Sequence, residues 1–205
     1  SQQLNNSLVQ VADSNLILPP AWAFGVLYGG YTNQHETIKR VDSIMAHQYP
    51  IDAYWIDSWF WSHADKGIGP HKYIDFVADT IGYPDRKKMW GYLQQYGIKG
   101  GFWTWDCILE TGNEKAFYDF KNKGLFSSVY INKNSWHNKG TSTAMFQEKA
   151  GHPGTACGNI DFDNPVATAY FKKQMKHFFE EGADFIKLDR TSKISTCKTM
   201  FEMSH

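Results

Sequence analysis

Short apolar runs closed by glycine alternate along this chain with stretches whose apolar residues recur at helical spacing. Ala21–Tyr28, closed by Gly29-Gly30, predicts a buried first strand and a tight turn. His35–His47 carries Ile38, Val41, Ile44 and Met45 on one stripe and breaks at Tyr49-Pro50, which predicts a helix. Ile51–Asp57 then reads as the second strand. A loop of about 26 residues rich in Trp, His, Asp and Gly follows; connections of that length are functional or disordered, and its aromatic content points to function. Pro84 is placed to open a helix carrying Met89, Trp90 and Leu93 that stops at Gly97, and Ile98–Asp106 is the third strand. Glu114–Asn122 predicts a helix and Phe126–Ile131 a further short strand, while Asn132–Asn159 lacks periodicity and reads as an irregular excursion. Pro165 starts the last long helix, with Phe171, Met175, Phe178 and Phe179 on its apolar side, and Gly182 ends it before the fourth strand, Ala183–Asp189. Ser195–Met203 predicts a closing helix.

Repeated strand–helix units with near-continuous apolar strands predict an α/β fold with a parallel sheet and right-handed crossovers. A dinucleotide-binding arrangement would need a GxGxxG after the first strand, and Gly29-Gly30 does not supply one. A (β/α)8 TIM-barrel type predicts polar residues at the carboxyl ends of the strands, where active sites of that fold lie. Asp57, Asp106 and Asp189 stand at the ends of the second, third and fourth strands. On the barrel reading, 1–20 is a lead-in and 21–205 a partial (β/α)8 domain, with strands one to four and their helices.

Composition narrows the chemistry. Twenty-one basic and 21 acidic side chains leave no net charge to draw the chain toward nucleic acid or an anionic membrane, so neither is an expected partner. No run reaches the ~20 consecutive apolar residues of a membrane span, and Ser1–Asn6 is too polar to begin a signal peptide. Cys107, Cys157 and Cys197 are widely separated, and the eight histidines show no ligand spacing such as HExxH, so no metal and no cofactor is expected. No GxSxG elbow or Cys–His signature supports acyl transfer. Aromatics form 16% of the chain, a content that suits either stacking on pyranose rings or packing a core.

Lys187 and Asp189, two apart on a strand, share one face, with Ile186 and Leu188 on the other. A carboxylate at a barrel mouth beside an ammonium suits nucleophilic attack on an anomeric carbon; a Lys–Asp pair that merely fixes packing fits the same spacing. Asp57, followed by Trp59-Phe60-Trp61, can accept sugar hydroxyls beside a stacking surface, or can cap a loop. Trp103 and Trp105 face one side of the third strand, Trp103 being the better candidate for a pocket wall.

The order Pro-Ile-Asp-Ala-Tyr-Trp-Ile-Asp (50–57), an aromatic loop, Gly-Tyr-Pro-Asp (82–85), Leu93 with Gly-Ile-Lys (97–99), Asp-Phe-Asp-Asn-Pro (161–165) and Gly-Ala-Asp-Phe-Ile-Lys-Leu-Asp (182–189) resembles glycoside hydrolase family 31, from about Trp22 to Asp189. The resemblance implies a retaining α-glycosidase acting on terminal α-linked sugars, an α-glucoside by default and an α-galactoside as the other choice. By position it implies Asp189 as nucleophile, Lys187 as its neighbour in the site, Asp57 as the carboxylate binding sugar hydroxyls, and Trp103 as a pocket wall; Trp59 and Asp106 join the expected substrate-binding set. Two departures stand out: Tyr83 where the family usually has Phe, and Ser192 where a Glu is common. The family's acid/base follows strand six, and a full barrel takes about 250 residues. The chain is therefore expected to be a piece of a longer polypeptide that supplies the rest of the barrel. An α-galactosidase of a related barrel clan, and a non-catalytic or degenerate sugar-binding domain, remain as alternative readings. Localisation is open; such enzymes of glycan-degrading bacteria are often exported.

Overall fold

The computed structural model describes residues 19–61, 74–110, 112–132 and 155–189. Four parallel strands, β1 (Leu27–Gly30), β2 (Ala53–Ile56), β3 (Lys99–Trp105) and β7 (Phe185–Asp189), lie side by side in that order. Helix α1 (Gln34–Ala46) connects β1 to β2, α2 (Arg86–Gln95) precedes β3, and α4 (Pro165–Glu180) precedes β7. This is the strand–helix repeat of a partial barrel.

Local chemistry sets the helix ends. Asn33 caps α1 in a reciprocal box with Glu36, Asp85 caps α2 by accepting from the Lys88 amide, and Asn164 caps α4 with Pro165 at its start. Gly97 and Gly182, at φ of 72° and 113°, let the chain turn out of α2 and α4 where a side chain would be strained. Two expected boundaries move. Ala21–Phe24 is a short 3₁₀ turn, and the first strand begins at Leu27 and includes Gly29-Gly30 instead of ending before them. Pro84 lies just outside its helix because the capping carboxylate is the next residue, Asp85.

The segment read as an irregular excursion contains a strand. β4 (Cys107–Leu109), β5 (Phe126–Asn132) and β6 (Thr155–Ile160) form an antiparallel sheet in the order β4-β6-β5, with α3 (Glu114–Asn122) packed nearby. Thr155-Ala156-Cys157-Gly158-Asn159-Ile160 shows no clean alternation; it becomes a strand by pairing on both edges, a non-local gain that periodicity does not carry. The lead-in before Pro19 and the closing helix expected at Ser195–Met203 lie outside the described residues.

The two faces of the main sheet differ. On the helix side, Phe102 is fully buried, stacks on Phe60 at 4.5 Å and meets Phe178 of α4 at 4.9 Å, while Trp90, Leu93, Met89 and Val41 complete the layer. Burying each such side chain contributes roughly 1.5–3 kcal/mol. On the inner face, register places Gly29 beside Trp55, Trp55 beside Gly101, and Gly101 beside Phe185. The glycines leave space for their neighbours' rings: a Cβ on Gly29 would run into the Trp55 indole, and one on Gly101 would lie 2.6 Å from the Phe185 ring. Trp22 covers Phe185 at 5.3 Å. Arg86 and Glu181 form a two-bond ion pair (2.6 and 2.7 Å) that ties the start of α2 to the end of α4. Among the described residues no helix is long and apolar enough to cross a membrane.

Candidate active site

Above the aromatic floor, toward the carboxyl ends of the strands, the inner face turns polar. Trp103 pairs in register with Lys187, and Trp105 with Asp189. Lys187 Nζ lies over the Trp55 ring at 5.7 Å and stands 3.8 Å from both Asp57 Oδ2 and Asp189 Oδ2. That distance is attraction without a hydrogen bond. One ammonium thus holds two carboxylates side by side. Trp103, only 6% exposed, donates its indole N–H to Asp189 Oδ2 at 3.0 Å. Asp189 itself keeps 49% of its side chain exposed, so the carboxylate is oriented by the sheet and still accessible.

Asp57 is placed from both sides. Its amide donates to the Gly30 carbonyl at 2.9 Å, prolonging the β1–β2 ladder, and its Oδ1 accepts from the Ser58 amide at 2.7 Å to start the turn Ser58–Phe60. Of the two roles weighed for this residue the structure displays the cap of the turn, while its Oδ2 is left facing the Lys187 ammonium at 3.8 Å. Trp59 on that turn is half-buried and meets the Tyr31 ring edge-on at 6.1 Å. The next residues fix the turn, since Trp61 donates its indole N–H to the Trp103 carbonyl at 2.8 Å.

Of the residues singled out by sequence, Asp57, Lys187, Asp189 and Trp103 form one connected group, and Trp59 stands at its edge. Asp106 is buried, at 1% exposure, where β3 gives way to β4 and its carbonyl accepts the Ile160 amide at 2.9 Å. The structure therefore places it in the joint between the two sheets. Ser192 lies outside the described residues, whereas Tyr83 is fully buried and donates its hydroxyl to the Thr32 carbonyl. Burial holds that phenol well above its ordinary range, so it remains a donor.

Sequence reading missed Tyr31. Its ring meets Trp59, and partial burial, then interaction with the carboxylate of Asp57 and the charge of Asp189, raises its hydroxyl above the ordinary phenol range. The available signal was its position, directly after the first strand's carboxyl end. Among the described residues no group of three or more His, Cys, Asp or Glu is arranged to hold a metal ion.

A half-barrel of parallel strands with paired carboxylates, an ammonium and indoles at its carboxyl-end mouth defines a barrel-type enzyme domain with a polar-aromatic site. The family is given by the sequence: residues 16–205 match the TIM-barrel domain of glycosyl hydrolases family 31, and the chain belongs to that family of glycoside hydrolases. Solved structures agree on the fold. A family 31 dextranase from Flavobacterium johnsoniae complexed with glucose superposes with a TM-score of 0.64 at 17% identity, over 84% of this chain and 19% of that one. A family 31 α-xylosidase from a soil metagenome, complexed with xylose, gives 0.57 at 23% identity over 83% of this chain and 22% of that one. A family 31 sulfoquinovosidase from E. rectale gives 0.57 at 20%, over 86% and 24% respectively. The chain thus spans about a quarter or less of the structures it resembles. No curated protein matches the sequence significantly.

Proposed function

We propose that this chain contributes the nucleophile half of a retaining α-glycosidase active site that releases terminal α-linked sugars, with an α-glucoside as the default substrate and an α-galactoside as the other choice. The observation that carries the reading is Asp189: a carboxylate at the end of β7, half exposed, held by the Trp103 N–H at 3.0 Å and faced by Lys187 at 3.8 Å. In the proposed reaction Asp189 attacks the anomeric carbon as the aglycone oxygen leaves with a proton from a second carboxyl. Water, deprotonated by that same carboxyl, then cleaves the glycosyl ester. The second carboxyl is proposed to come from a later strand of the complete barrel, supplied by the same longer polypeptide. Asp57 accepts hydroxyls of the bound sugar, and Trp103 and Trp59 wall the site.

The neighbours support the substrate class without narrowing it, since they include a dextranase, an α-xylosidase and a sulfoquinovosidase. An activated 2-fluoro-glycoside incubated with the full-length protein, followed by peptide mass mapping, tests the assignment. The label is expected on Asp189; a label on another carboxylate, or turnover surviving in Asp189→Asn, would sink it.

A further inference from the structure

Among the described residues the Lys187 ammonium makes no hydrogen bond. It stands 3.8 Å from Asp57 Oδ2 and 3.8 Å from Asp189 Oδ2, beyond hydrogen-bond reach of either, on a side chain that is 38% exposed. A flexible four-carbon stem with that freedom is expected to swing onto one carboxylate and close a direct ion pair. The surface it rests against is the Trp55 ring, whose centroid lies 5.7 Å from Nζ, within range of a cation–π contact. We propose that Trp55 is a positioning residue for Lys187: the indole face holds the ammonium midway between Asp57 and Asp189. Its charge then acts on the nucleophile without a hydrogen bond that would draw electron density from the attacking carboxylate. This rests on the proposed role of Asp189 as nucleophile.

The sheet is built to present that face. Trp55 on β2 has Gly29 of β1 as its register partner on one side and Gly101 of β3 on the other. The indole lies over Gly29, where a Cβ would come within 2.1 Å of its Cε2 and Cζ2. Gly101 puts no side chain between β2 and β7. Its partner on β7 is Phe185, and Lys187 lies two residues further along the same face, so the ammonium reaches the indole across β3. The polar end of Trp55 serves no such purpose: Nε1 is buried and has no hydrogen-bond partner among the described residues. A buried, unbonded N–H is a cost that an aliphatic side chain or a phenyl ring would not carry. What an indole offers in return is the strongest π face for a cation among the aromatic side chains, and the ammonium is on it.

The test uses the full-length protein and reads the rate at which an activated 2-fluoro-glucoside, or its galacto form, labels Asp189. Tryptophans carrying increasing numbers of ring fluorines, placed at position 55, keep the shape of the indole and weaken its face. The labelling rate is expected to fall stepwise along that series, by about three- to tenfold in all. Trp55→Met removes the face and is expected to slow labelling by about tenfold or more, while affinity for the reagent changes less than about twofold; Trp55→Phe, with a weaker ring, should fall between. In a Lys187→Met background, Trp55→Met is expected to have no further effect, because its target has gone. A flat fluorine series, or a Trp55→Met loss of equal size with and without Lys187, would overturn the proposal, and the fluorine series decides even where Trp55→Met does not fold. A wild-type label on a carboxylate other than Asp189 overturns the nucleophile reading and this inference with it. A label on Asp189 with a flat series overturns this inference alone.

Discussion

Trp103 donates its indole N–H to Asp189 across the β3–β7 boundary at 3.0 Å, two residues beyond its register partner Lys187. A bond to a charged acceptor contributes about 1.5–3 kcal/mol, and the donor is held by a buried ring. Trp103→Phe is therefore expected to lower kcat/KM by about one to two orders of magnitude. Steady-state kinetics on the full-length protein checks it; a loss of less than about threefold would show that the indole N–H does not orient the carboxylate.

The inner-face glycines give a stability prediction. Gly29→Ala and Gly101→Ala each push a methyl group into an aromatic ring, the Trp55 indole or the Phe185 phenyl. Overpacking of this kind costs about 1–3 kcal/mol. Urea unfolding should show both variants destabilised, with Gly29→Ala also weakening sugar affinity because Trp55 lies under Lys187.

Arg86 and Glu181 are mostly shielded, with side chains 18% and 28% exposed, and their two bonds join helices far apart in sequence. Glu181→Gln is expected to cost about 1–3 kcal/mol in denaturant unfolding. The exposed pair Lys176–Glu180 within α4 is expected to contribute nothing measurable on removal of Lys176.

Acid sensitivity is expected at Asp119. Hydrogen bonds from Lys123 and then from Tyr170 hold its carboxyl below the ordinary range, against the opposing effect of burial. A carboxyl lowered by folding stabilises the native state above its unfolded pKa of about 3.9, and the contribution disappears as pH falls through the folded value. The melting-temperature gap between wild type and Asp119→Asn should thus be open at neutral pH and close below about pH 3.9. A gap that persists at pH 2 would contradict the linkage.

What could be read from sequence was what repeats locally. Val41, Met89, Trp90, Leu93, Phe171, Met175 and Phe178 were legible as helix faces because a helix buries one stripe, and all of them are in the core. Lys187 and Asp189 were placed on a common face by the two-residue period of a strand, and their contact at 3.8 Å follows from it. Tyr31 and the small antiparallel sheet were not legible, since both depend on partners distant in the chain: Asp57 for Tyr31, and Leu109 and Tyr130 opposite Cys157 for β6. Asp106 was legible as the end of a strand, whereas its burial where β3 meets β4 was not. The carboxyl end of β3 leads directly into β4, a strand of the second sheet that local periodicity does not announce.

The rings laid over Gly29 and Gly101 have a further effect on traffic. Trp55, Phe185 and Trp22 form a layer of rings on this side of the barrel beneath the carboxylates. If Asp189 receives a sugar as proposed, that layer is the surface beneath the bound ring. A floor of that kind would favour the end of a glycan over its middle, which comparing hydrolysis of terminal and internal linkages by the full-length protein would show.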